Sequence, residues 1–289
     1  MYLTGFADEA ADALAGQIEA TKALGWQNIE ARSINGKNIH DISDEEFEDV
    51  YRELGESGVN VNCFGSTIAN WGKSVDEPFD ETLAAVDRAV RRMKRCASRL
   101  IRIMSYSILR DTDGRALADQ KEEERFRRLR EITRRFTDEG ITPVHENCLN
   151  YGGMSIAHTH RLLENVPGLK LVFDTGNPPL TPDFAKPFPY PMQDSWEFYY
   201  AVRPYIAYVH IKDSFLKSGE EVYTYPGEGA GQVVKIVEDL LATGYDGGFS
   251  MEPHMSVVFH DASVQSSADA RFQNYVEYGR RFMRILEKK

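Results

Sequence analysis

Four short apolar segments in the second half of the chain end on side chains that can bind a metal ion. The residues at these ends are Glu146, Asp174, His210 and Glu252. Alternate residues of a β-strand share a face, so Tyr208 and His210 are expected to point the same way. If the segments are neighbouring strands that line one cavity, three carboxylates and one imidazole converge there. The prediction depends on the whole set, because any single acidic residue could instead cap a strand or a helix.

Such a set of side chains needs a cation. The four groups cannot share a small cavity unneutralised, because mutual repulsion would force protonation or distortion. One bound divalent cation resolves the conflict. The mostly hard oxygen ligands favour Mn²⁺ as the first choice, with Mg²⁺, Co²⁺ or Zn²⁺ also able to bind. The sequence therefore predicts one divalent metal ion as the cofactor.

Short β-rich segments alternate with longer amphipathic segments along the whole chain. The predicted strands cover residues 2–6, 28–32, 59–64, 99–104, 141–146, 169–174, 206–211 and 248–252. The predicted helices cover residues 8–24, 44–56, 77–97, 119–139, 155–165, 194–203, 231–243 and 268–287. Strict alternation indicates parallel strands with right-handed crossovers. Eight such units in about 250 residues predict an α/β protein with the (β/α)8 TIM barrel fold.

A doubly wound open sheet is the alternative architecture, but no GxGxxG motif follows the first predicted strand. No linker rich in Pro, Gly or Ser divides the chain, so residues 1–289 are predicted to form a single domain. In the fourth predicted helix, apolar residues recur every three or four positions and predict one buried stripe, formed by Phe126, Leu129, Ile132 and Phe136. Segments 175–193 and 212–230 are longer than crossovers need, and both follow strands at the end where barrel enzymes have their sites.

The composition limits the possible partners. The chain has 289 residues, of which 42% are hydrophobic, and a formal net charge of -11. This charge repels phosphate backbones and anionic lipid head groups, so no nucleic acid and no membrane is expected as a partner. The absence of a signal-peptide pattern and of a long apolar segment predicts a cytoplasmic location. The widely spaced Cys63, Cys96 and Cys148 are expected to be reduced thiols.

The chain also resembles a known family over nearly its whole length. The segments GFADEA, VHEN, LVFDTGN, YVHIKD and PGEGAGQVVKIVEDLLATGYDGGFSMEPH are similar to those of the sugar phosphate isomerase/epimerase family, also called the xylose isomerase-like barrel superfamily. The resemblance implies the barrel fold and a small-molecule sugar substrate. It also implies a homo-oligomer, either a dimer or a tetramer. The metal positions of the family fall on Glu146, Asp174, His210 and Glu252.

The resemblance further implies a reaction. The metal ion would bind the carbonyl and an adjacent hydroxyl of a keto-sugar or related polyol and stabilise an enediolate. The acid and the base of the isomerisation or epimerisation then fall on Glu146 and Glu252, which would each bind the ion through a single oxygen. Ketose 3-epimerases of the superfamily commonly have a His three residues after the metal-binding Asp and an Arg after the metal-binding His. This chain has Asn177 at the first position and the segment IKDSFLKS, without the Arg, at the second.

Residues beside the predicted ligands are candidates for catalysis or substrate binding. His145 is a candidate additional acid or base, although strand alternation equally allows it to face the helix layer. Asn177, Lys212 and His254 follow ligand positions by two or three residues, which suggests contacts with the ligands or the substrate. Lys212 shares a strand face with His210; a salt bridge to a neighbouring acidic residue, Asp213 or Glu228, is its alternative role.

Other candidate contacts come from aromatic and glycine-rich segments. Trp71 in SIANWGKS and Phe6 at the end of the first predicted strand are expected to offer flat apolar walls to a sugar. The segment PGEGAG, residues 226–231, resembles an anion-binding turn before a helix. It lacks the Lys-Ser pair of a P-loop, and Glu228 would repel a phosphate. We therefore expect this segment to close over a neutral sugar, with Glu228 among the contacts.

Three other functions compete with the isomerase or epimerase hypothesis. A lyase or dehydratase would use the same enolate to expel a β-substituent from a 3-keto-sugar, keto-glycoside or keto-inositol. A related barrel cleaves DNA at abasic sites with several metal ions, but the seven histidines and the charge of -11 disfavour this function. A non-catalytic sugar-binding barrel is the third alternative. The set of four strand ends favours the isomerase or epimerase.

Overall fold

Eight parallel strands form a barrel in the computed structural model, which describes residues 1–256 and 266–288. The barrel strands in chain order are β1 (Tyr2–Gly5), β2 (Asn28–Ala31), β3 (Asn60–Gly65), β4 (Leu100–Ile103), β5 (Thr142–Glu146), β6 (Lys170–Asp174), β7 (Ile206–Ile211) and β8 (Gly248–Met251). The surrounding α-helices are α1 (Leu14–Ala23), α2 (Asp44–Ser57), α3 (Phe79–Cys96), α4 (Glu122–Thr137), α5 (Ile156–Asn165), α6 (Ser195–Val202), α7 (Val233–Ala242) and α8 (Ala268–Glu287).

The strand order follows the chain around the barrel. Each strand from β2 to β7 pairs in parallel with the next, and β8 pairs with β1. β1 and β2 lie beside each other at the remaining position of the ring. The predicted (β/α)8 TIM barrel is therefore confirmed. The single domain over residues 1–289 stays a prediction.

The observed boundaries lie close to the predicted ones, with one clear exception. Instead of one helix over residues 8–24, the chain forms a short 3₁₀-helix, Ala7–Glu9, and α1 begins only at Leu14. The reason is that Asp8 and Glu9 are buried and their carboxylates bind the guanidinium of Arg32 inside the barrel mouth. A smaller difference is that β8 ends at Met251, one residue earlier than predicted.

Apolar side chains fill the space inside the barrel and the layer around it. Cys63, Val144, Val172 and Tyr208 form a cluster between the strands, below the carboxyl end of the barrel. The helices cover the outer face of the sheet. The predicted stripe of α4 is buried as expected, with Phe126, Leu129, Ile132 and Phe136 at most 6% exposed. None of the described helices has the length and apolar character needed to span a bilayer.

The long connections lie at the carboxyl ends of the strands. After β2, the two-stranded hairpin Ser33–Ile34 and Lys37–Asn38 turns through Asn35 and Gly36. Both turn residues have positive φ, at 51° and 78°, as the tight hairpin turn with an Asn-Gly sequence requires. Segment 212–230 contains a second hairpin, Asp213–Lys217 with Glu220–Thr224. These hairpins add walls around the barrel mouth.

The limits of α2 follow directly from its sequence. Ser43 precedes the helix; its hydroxyl accepts a hydrogen bond from the backbone N–H of Glu46, while the Glu46 carboxylate accepts one from the N–H of Ser43. This reciprocal pair satisfies two N–H groups that a helix start otherwise leaves unpaired. The helix ends at Gly58, which has a φ of 72°. Glycine adopts this left-handed conformation without a Cβ clash.

Replacing Ser43 by alanine removes the side-chain acceptor at the start of α2. We expect Ser43→Ala to lower the free energy of unfolding by about 1 kcal/mol, measured by chemical denaturation. Ser218, an exposed serine in the hairpin turn, is the matched control. Ser218→Ala is expected to stay within about 0.5 kcal/mol of the parent protein. Equal stability of the two variants would contradict the capping role.

Candidate metal centre

The four predicted ligands meet at the carboxyl end of the barrel. Glu146 and Asp174 are the last residues of β5 and β6, His210 is the penultimate residue of β7, and Glu252 directly follows β8. All four residues are at most 3% exposed. One ligand atom from each lies within 4.8 Å of the others. The structure thus brings together a buried group of side chains that could bind a metal ion.

His210 directs one ring nitrogen into this group. Its Nε2 lies 3.0 Å from Oε2 of Glu30, which also accepts a hydrogen bond from Ser250. Since Glu30 is an acceptor, we assign the Nε2 proton to this bond, and the lone pair of the neutral ring then lies on Nδ1. Nδ1 lies 3.9 Å from one carboxylate oxygen of each of three residues, namely Glu146, Asp174 and Glu252.

These distances fit one shared ion. Ligands at about 2.1 Å from a small divalent cation lie roughly 3.0 to 4.2 Å apart, depending on the angle between them. His210 Nδ1 is also buried and makes no hydrogen bond among the described residues, whereas Asp174 Oδ2 has an ion pair with Lys212 over 3.0 Å. Buried polar atoms of this kind normally have a partner. The donor set therefore fits a divalent metal ion.

Each of the two glutamates uses its second oxygen to bind an arginine. Arg102 at β4 donates to Oε2 of Glu146 over 3.1 Å, and Arg32, which follows β2, donates to Oε1 of Glu252 over 2.7 Å. The oxygens nearest His210 are the other two, Oε1 of Glu146 and Oε2 of Glu252. This arrangement favours metal binding through one oxygen of each glutamate.

Asp174 is held in the same way by backbone groups. Its Oδ1 accepts hydrogen bonds from the N–H groups of Gly176 and Asn177, each over 2.8 Å, so that Oδ2 faces the cluster. Asn147 supports this strand end from β5, because its amide bonds both the N–H and the C=O of Asp174. The backbone around Asp174 thus positions a single ligand oxygen.

The cluster carries an excess of negative charge. Arg32 is bound by Asp8 over 2.9 Å and by Glu9 over 3.2 Å as well as by Glu252. Six buried carboxylates lie in this cluster, those of Asp8, Glu9, Glu30, Glu146, Asp174 and Glu252. They surround three buried cationic side chains, Arg32, Arg102 and Lys212. A divalent cation would offset most of the remaining charge, as the fit of the donor set also indicates.

The buried charges shift the pKa values of the ligands. Burial opposes the charge on His210, but the carboxylates of Glu30 and Glu146 outweigh it and raise the pKa of His210 to about 10. Burial raises the pKa of Asp174 to about 6, although Lys212 opposes this shift. For Glu146, burial opposes ionisation, yet Arg102 outweighs it and lowers the pKa to about 2. A proton on His210 therefore competes with a metal ion.

A cavity of about 490 Å³ opens above the ligands. Four predicted substrate contacts line it, namely Asn177, Lys212, His254 and Trp71. Asn177 donates to Oε1 of Glu146 over 3.0 Å. Lys212 Nζ lies 3.0 Å from Asp174 and 3.1 Å from Glu252, so its ion pairs are with predicted ligands and not with Asp213 or Glu228. Their role in substrate binding stays a prediction.

The structure places His145 outside the cavity, which corrects its expected position as an additional acid or base. It lies on the opposite face of β5 from Glu146, where its Nε2 is 2.9 Å from Ser105 Oγ and 2.8 Å from Asn150 Oδ1. Its ring packs against Gly152, where a Cβ would come within 2.4 Å of it. Burial lowers the pKa of His145 to about 4, so the ring is neutral near pH 7. It anchors the loops behind the strand.

Glu228 does not line the cavity either. It is exposed and forms an ion pair with Arg281 over 2.7 Å. The PGEGAG segment does bind an anion, but the anion is the carboxylate of Asp213, which accepts hydrogen bonds from the N–H groups of Gly227, Gly229 and Gly231. None of residues 226–231 lines the cavity, so the structure does not place this segment over a sugar as expected.

Phe6 lies beneath the site and forms no wall of the cavity. It is fully buried, its ring stands edge-on to His210 at 5.1 Å, and the guanidinium of Arg32 lies 4.1 Å from the ring centre. The close approach of Phe6 also explains Gly65 at the end of β3, because a Cβ there would come within 2.5 Å of the ring. Phe6 thus supports the arginine and the imidazole from below.

Sequence reasoning missed Glu30, Arg32 and Arg102, which surround the predicted ligands. These charged residues stand inside the predicted strands NIEAR and RLIRIM, and their presence there could have indicated a polar site. A charged residue in a buried strand is costly unless it is paired, so charges at alternate positions of a predicted strand indicate a polar interior. The carboxylates of Asp8 and Glu9 were hidden within a segment that was predicted as a helix.

Comparison with known proteins places the chain in a family. A family model described as xylose isomerase-like TIM barrel matches residues 18–275. This range covers most of the chain, so the protein belongs to the xylose isomerase-like TIM barrel family, as its resemblance predicted. No curated protein sequence matches the chain at a significant level.

Solved structures share the fold along the full chain. A xylose isomerase-like TIM barrel protein from Mycobacterium smegmatis in complex with magnesium has 16% identity, a TM-score of 0.67, and coverage of 96% of this chain and 97% of its own. A D-psicose 3-epimerase with D-tagatose from Clostridium cellulolyticum H10 has 16% identity, a TM-score of 0.69 and 98% coverage of both chains. A probable 3-DHS dehydratase from Bacillus anthracis has 16% identity, a TM-score of 0.67, and coverage of 95% and 97%. At these identities the similarity concerns the fold.

The hydrogen bond from Glu30 to His210 gives a test of the metal site. We expect Glu30→Gln to weaken Mn²⁺ binding about 10- to 100-fold, because the carboxylate fixes the ring and raises the basicity of the ligand nitrogen. Isothermal titration calorimetry measures the affinity. Glu228→Gln makes the same chemical change on an exposed residue outside the cavity and is expected to leave the affinity unchanged. Equal affinities for the two variants would refute the supporting role of Glu30.

The raised pKa of His210 predicts proton release on metal binding. Below pH 10 the imidazole holds a second proton, which the ion must displace from Nδ1. We expect about one proton to be released per Mn²⁺ ion at pH 8, and the affinity to rise with pH until the imidazole loses this proton. Calorimetry in buffers of different ionisation enthalpy measures the released protons. Binding without proton release at this pH would contradict the displacement of a proton from Nδ1 of His210.

Proposed function

We propose that the protein is a divalent-metal-dependent isomerase or epimerase of a keto-sugar or related polyol. The observation that carries this proposal is the position of His210 Nδ1, which lies 3.9 Å from carboxylate oxygens of three neighbouring strands while Nε2 is bound by Glu30. Membership of the xylose isomerase-like family supports it. So does the fold shared with a D-psicose 3-epimerase.

Mn²⁺ is the ion that we propose first, with Mg²⁺, Co²⁺ or Zn²⁺ as possible substitutes. Glu146, Asp174, His210 and Glu252 would hold it. The magnesium complex of the related Mycobacterium smegmatis protein is consistent with a divalent ion in this fold. When bound, the ion would polarise a carbonyl and a neighbouring hydroxyl of the substrate and so make an adjacent C–H group more acidic.

Glu146 and Glu252 are the proposed acid and base. They come from β5 and β8, which are separated by two strands, so they approach a bound substrate from different sides. The outer oxygen of each accepts a hydrogen bond from Arg102 or Arg32, and a carboxylate oxygen has a second lone pair that can take a substrate proton. The guanidinium groups make both carboxylates weaker bases, so the substrate C–H must be strongly acidified.

Lys212 and Asn177 are the proposed substrate contacts nearest the ligands. Lys212 Nζ lies between Asp174 and Glu252 and lines the cavity, where an ammonium can donate to a sugar oxygen. Asn177 occupies the position at which ketose 3-epimerases commonly have a histidine. This difference favours a substrate other than the simple ketoses of those enzymes.

Proton exchange with solvent tests the proposal. In D₂O, Mn²⁺-loaded protein is expected to place solvent deuterium into an unbroken keto-sugar, which NMR detects with D-fructose, D-tagatose and a methyl 3-keto-glucoside as probes. Glu146→Gln and Glu252→Gln are expected to slow exchange about 10²- to 10⁴-fold, because each removes one proton carrier. Circular dichroism checks that both variants keep the fold. Absence of exchange with all three probes would contradict the proposal.

A lyase or dehydratase is the second candidate, and Lys212 is the observation that favours it. In a β-elimination, a C–H bond and the C–O bond to the β-substituent break, a C=C bond forms, and the departing oxygen takes up a proton. The ammonium of Lys212 in the cavity can hydrogen-bond such an oxygen. The fold shared with a probable 3-DHS dehydratase agrees with this candidate. Appearance of an enone or a released alcohol in the D₂O experiment would identify elimination.

A further inference from the structure

The cavity is larger than one sugar ring requires. Its volume is about 490 Å³. A six-carbon sugar has twelve non-hydrogen atoms and fills roughly 180 Å³, if each takes about half the ~30 Å³ of a liquid water molecule. A sugar bound at the predicted metal ligands therefore leaves more than half of the cavity for another group.

The lining of the cavity divides into two parts. Near the ligands it consists of charged side chains such as Arg102 and Lys212. The other part comes from the hairpin after β2 and from the turn after β3, and it contains Ser33, Gly36, Asn38, Thr67, Asn70 and Trp71. β2 and β3 lie across the barrel from β6 and β7. We call this second group of six residues the outer wall.

Trp71 is the largest side chain of the outer wall, and 44% of it is exposed. The turn that carries it is fixed by its own hydrogen bonds, from Asn70 N–H to the C=O of Thr67, from Gly72 N–H to Asn70 Oδ1, and from Lys73 N–H to the C=O of Asn70. These bonds fix the backbone of the turn, from which Trp71 lines the cavity. A flat ring of a ligand would cover this apolar face.

The hairpin side of the outer wall is equally well fixed. The side chain of Asn38 donates to the C=O of Gly65 over 2.9 Å, and the N–H of Ser33 donates to Asp8 over 3.0 Å. The N–H of Thr67 donates to Nε2 of the buried His40, and the hydroxyl of Thr67 lies 3.2 Å from the same nitrogen. A preformed wall of this kind loses little conformational entropy when a ligand binds.

We propose that the outer wall forms a second subsite, which binds a ring attached to the keto-sugar, so that the substrate is a keto-glycoside and not a free monosaccharide. This inference rests on the proposed function. The sugar that reacts lies at the predicted metal ligands. The attached ring stacks on Trp71, while polar groups of the hairpin and the turn contact its substituents.

Binding of two matched ligands tests the second subsite. The probes are the 3-keto derivatives of p-nitrophenyl and methyl β-D-glucopyranoside, which share the keto-sugar and differ only in the attached group. With Mn²⁺-loaded protein we expect the p-nitrophenyl compound to bind about tenfold more tightly, because its ring covers the indole. Titration calorimetry at low temperature gives both dissociation constants.

Variants of Trp71 test whether this side chain causes the difference in affinity between the two compounds. Trp71→Ala is expected to reduce the ratio of the dissociation constants to less than about threefold, whereas Trp71→Phe keeps a flat ring and most of the ratio. Trp196 on α6 is a partly exposed tryptophan that does not line the cavity, and Trp196→Ala is the matched control. Equal affinities for the two compounds in the parent protein, or an unchanged ratio in Trp71→Ala, would overturn the inference.

Failure of the subsite and failure of the proposed function give different results. Proton exchange with solvent at equal affinities for the two compounds would retain the proposed isomerase or epimerase function and overturn the subsite. A ratio that depends on Trp71, without any reaction of these two compounds, D-fructose or D-tagatose, would support the subsite and contradict the function. Binding of neither compound would overturn the inference as well.

Discussion

Electrostatic compensation at the barrel mouth is the constraint on which the rest of the site depends. Six carboxylates are buried close together in space, and a buried charge is stable only when it is paired. The protein places Arg32 and Arg102 on the outer oxygens of Glu252 and Glu146. The inner oxygens then face His210 Nδ1, where a divalent ion would complete the compensation. Removal of one arginine would disturb a ligand as well as the charge balance.

This compensation also explains how distant parts of the chain cooperate. Arg32 comes from β2, but it binds Asp8 and Glu9 near the start of the chain and Glu252 after β8. Closure of the barrel brings these strand ends together, because β1 lies between β8 and β2. The same contacts that close the ring therefore position one of the predicted proton carriers.

The sequence was sufficient to predict the fold and the convergence of four strand ends, because both follow from local periodicity and from the rule that parallel strands share their carboxyl edge. It could not predict the partners of those residues. Arg32 and Glu252 are 220 positions apart, and their contact exists only in the closed barrel. The same limit applies to Glu228, which lies in a loop without a regular period, whereas strand alternation in β5 already allowed His145 to face the helix layer. The sequence of the PGEGAG segment indicated that it can bind an anion, but it did not indicate that this anion is the carboxylate of Asp213.

The pairing of Asp213 with the glycine-rich turn decides what this turn can bind. Three backbone amides of the turn already bind a carboxylate of the same chain, and a Cβ at Gly229 would lie 2.3 Å from that carboxylate. An incoming phosphoryl group would meet an anion-binding turn that is already filled by the protein itself. The glycine-rich turn therefore has no free amides to offer to an external anion, and it serves to hold Asp213 in place.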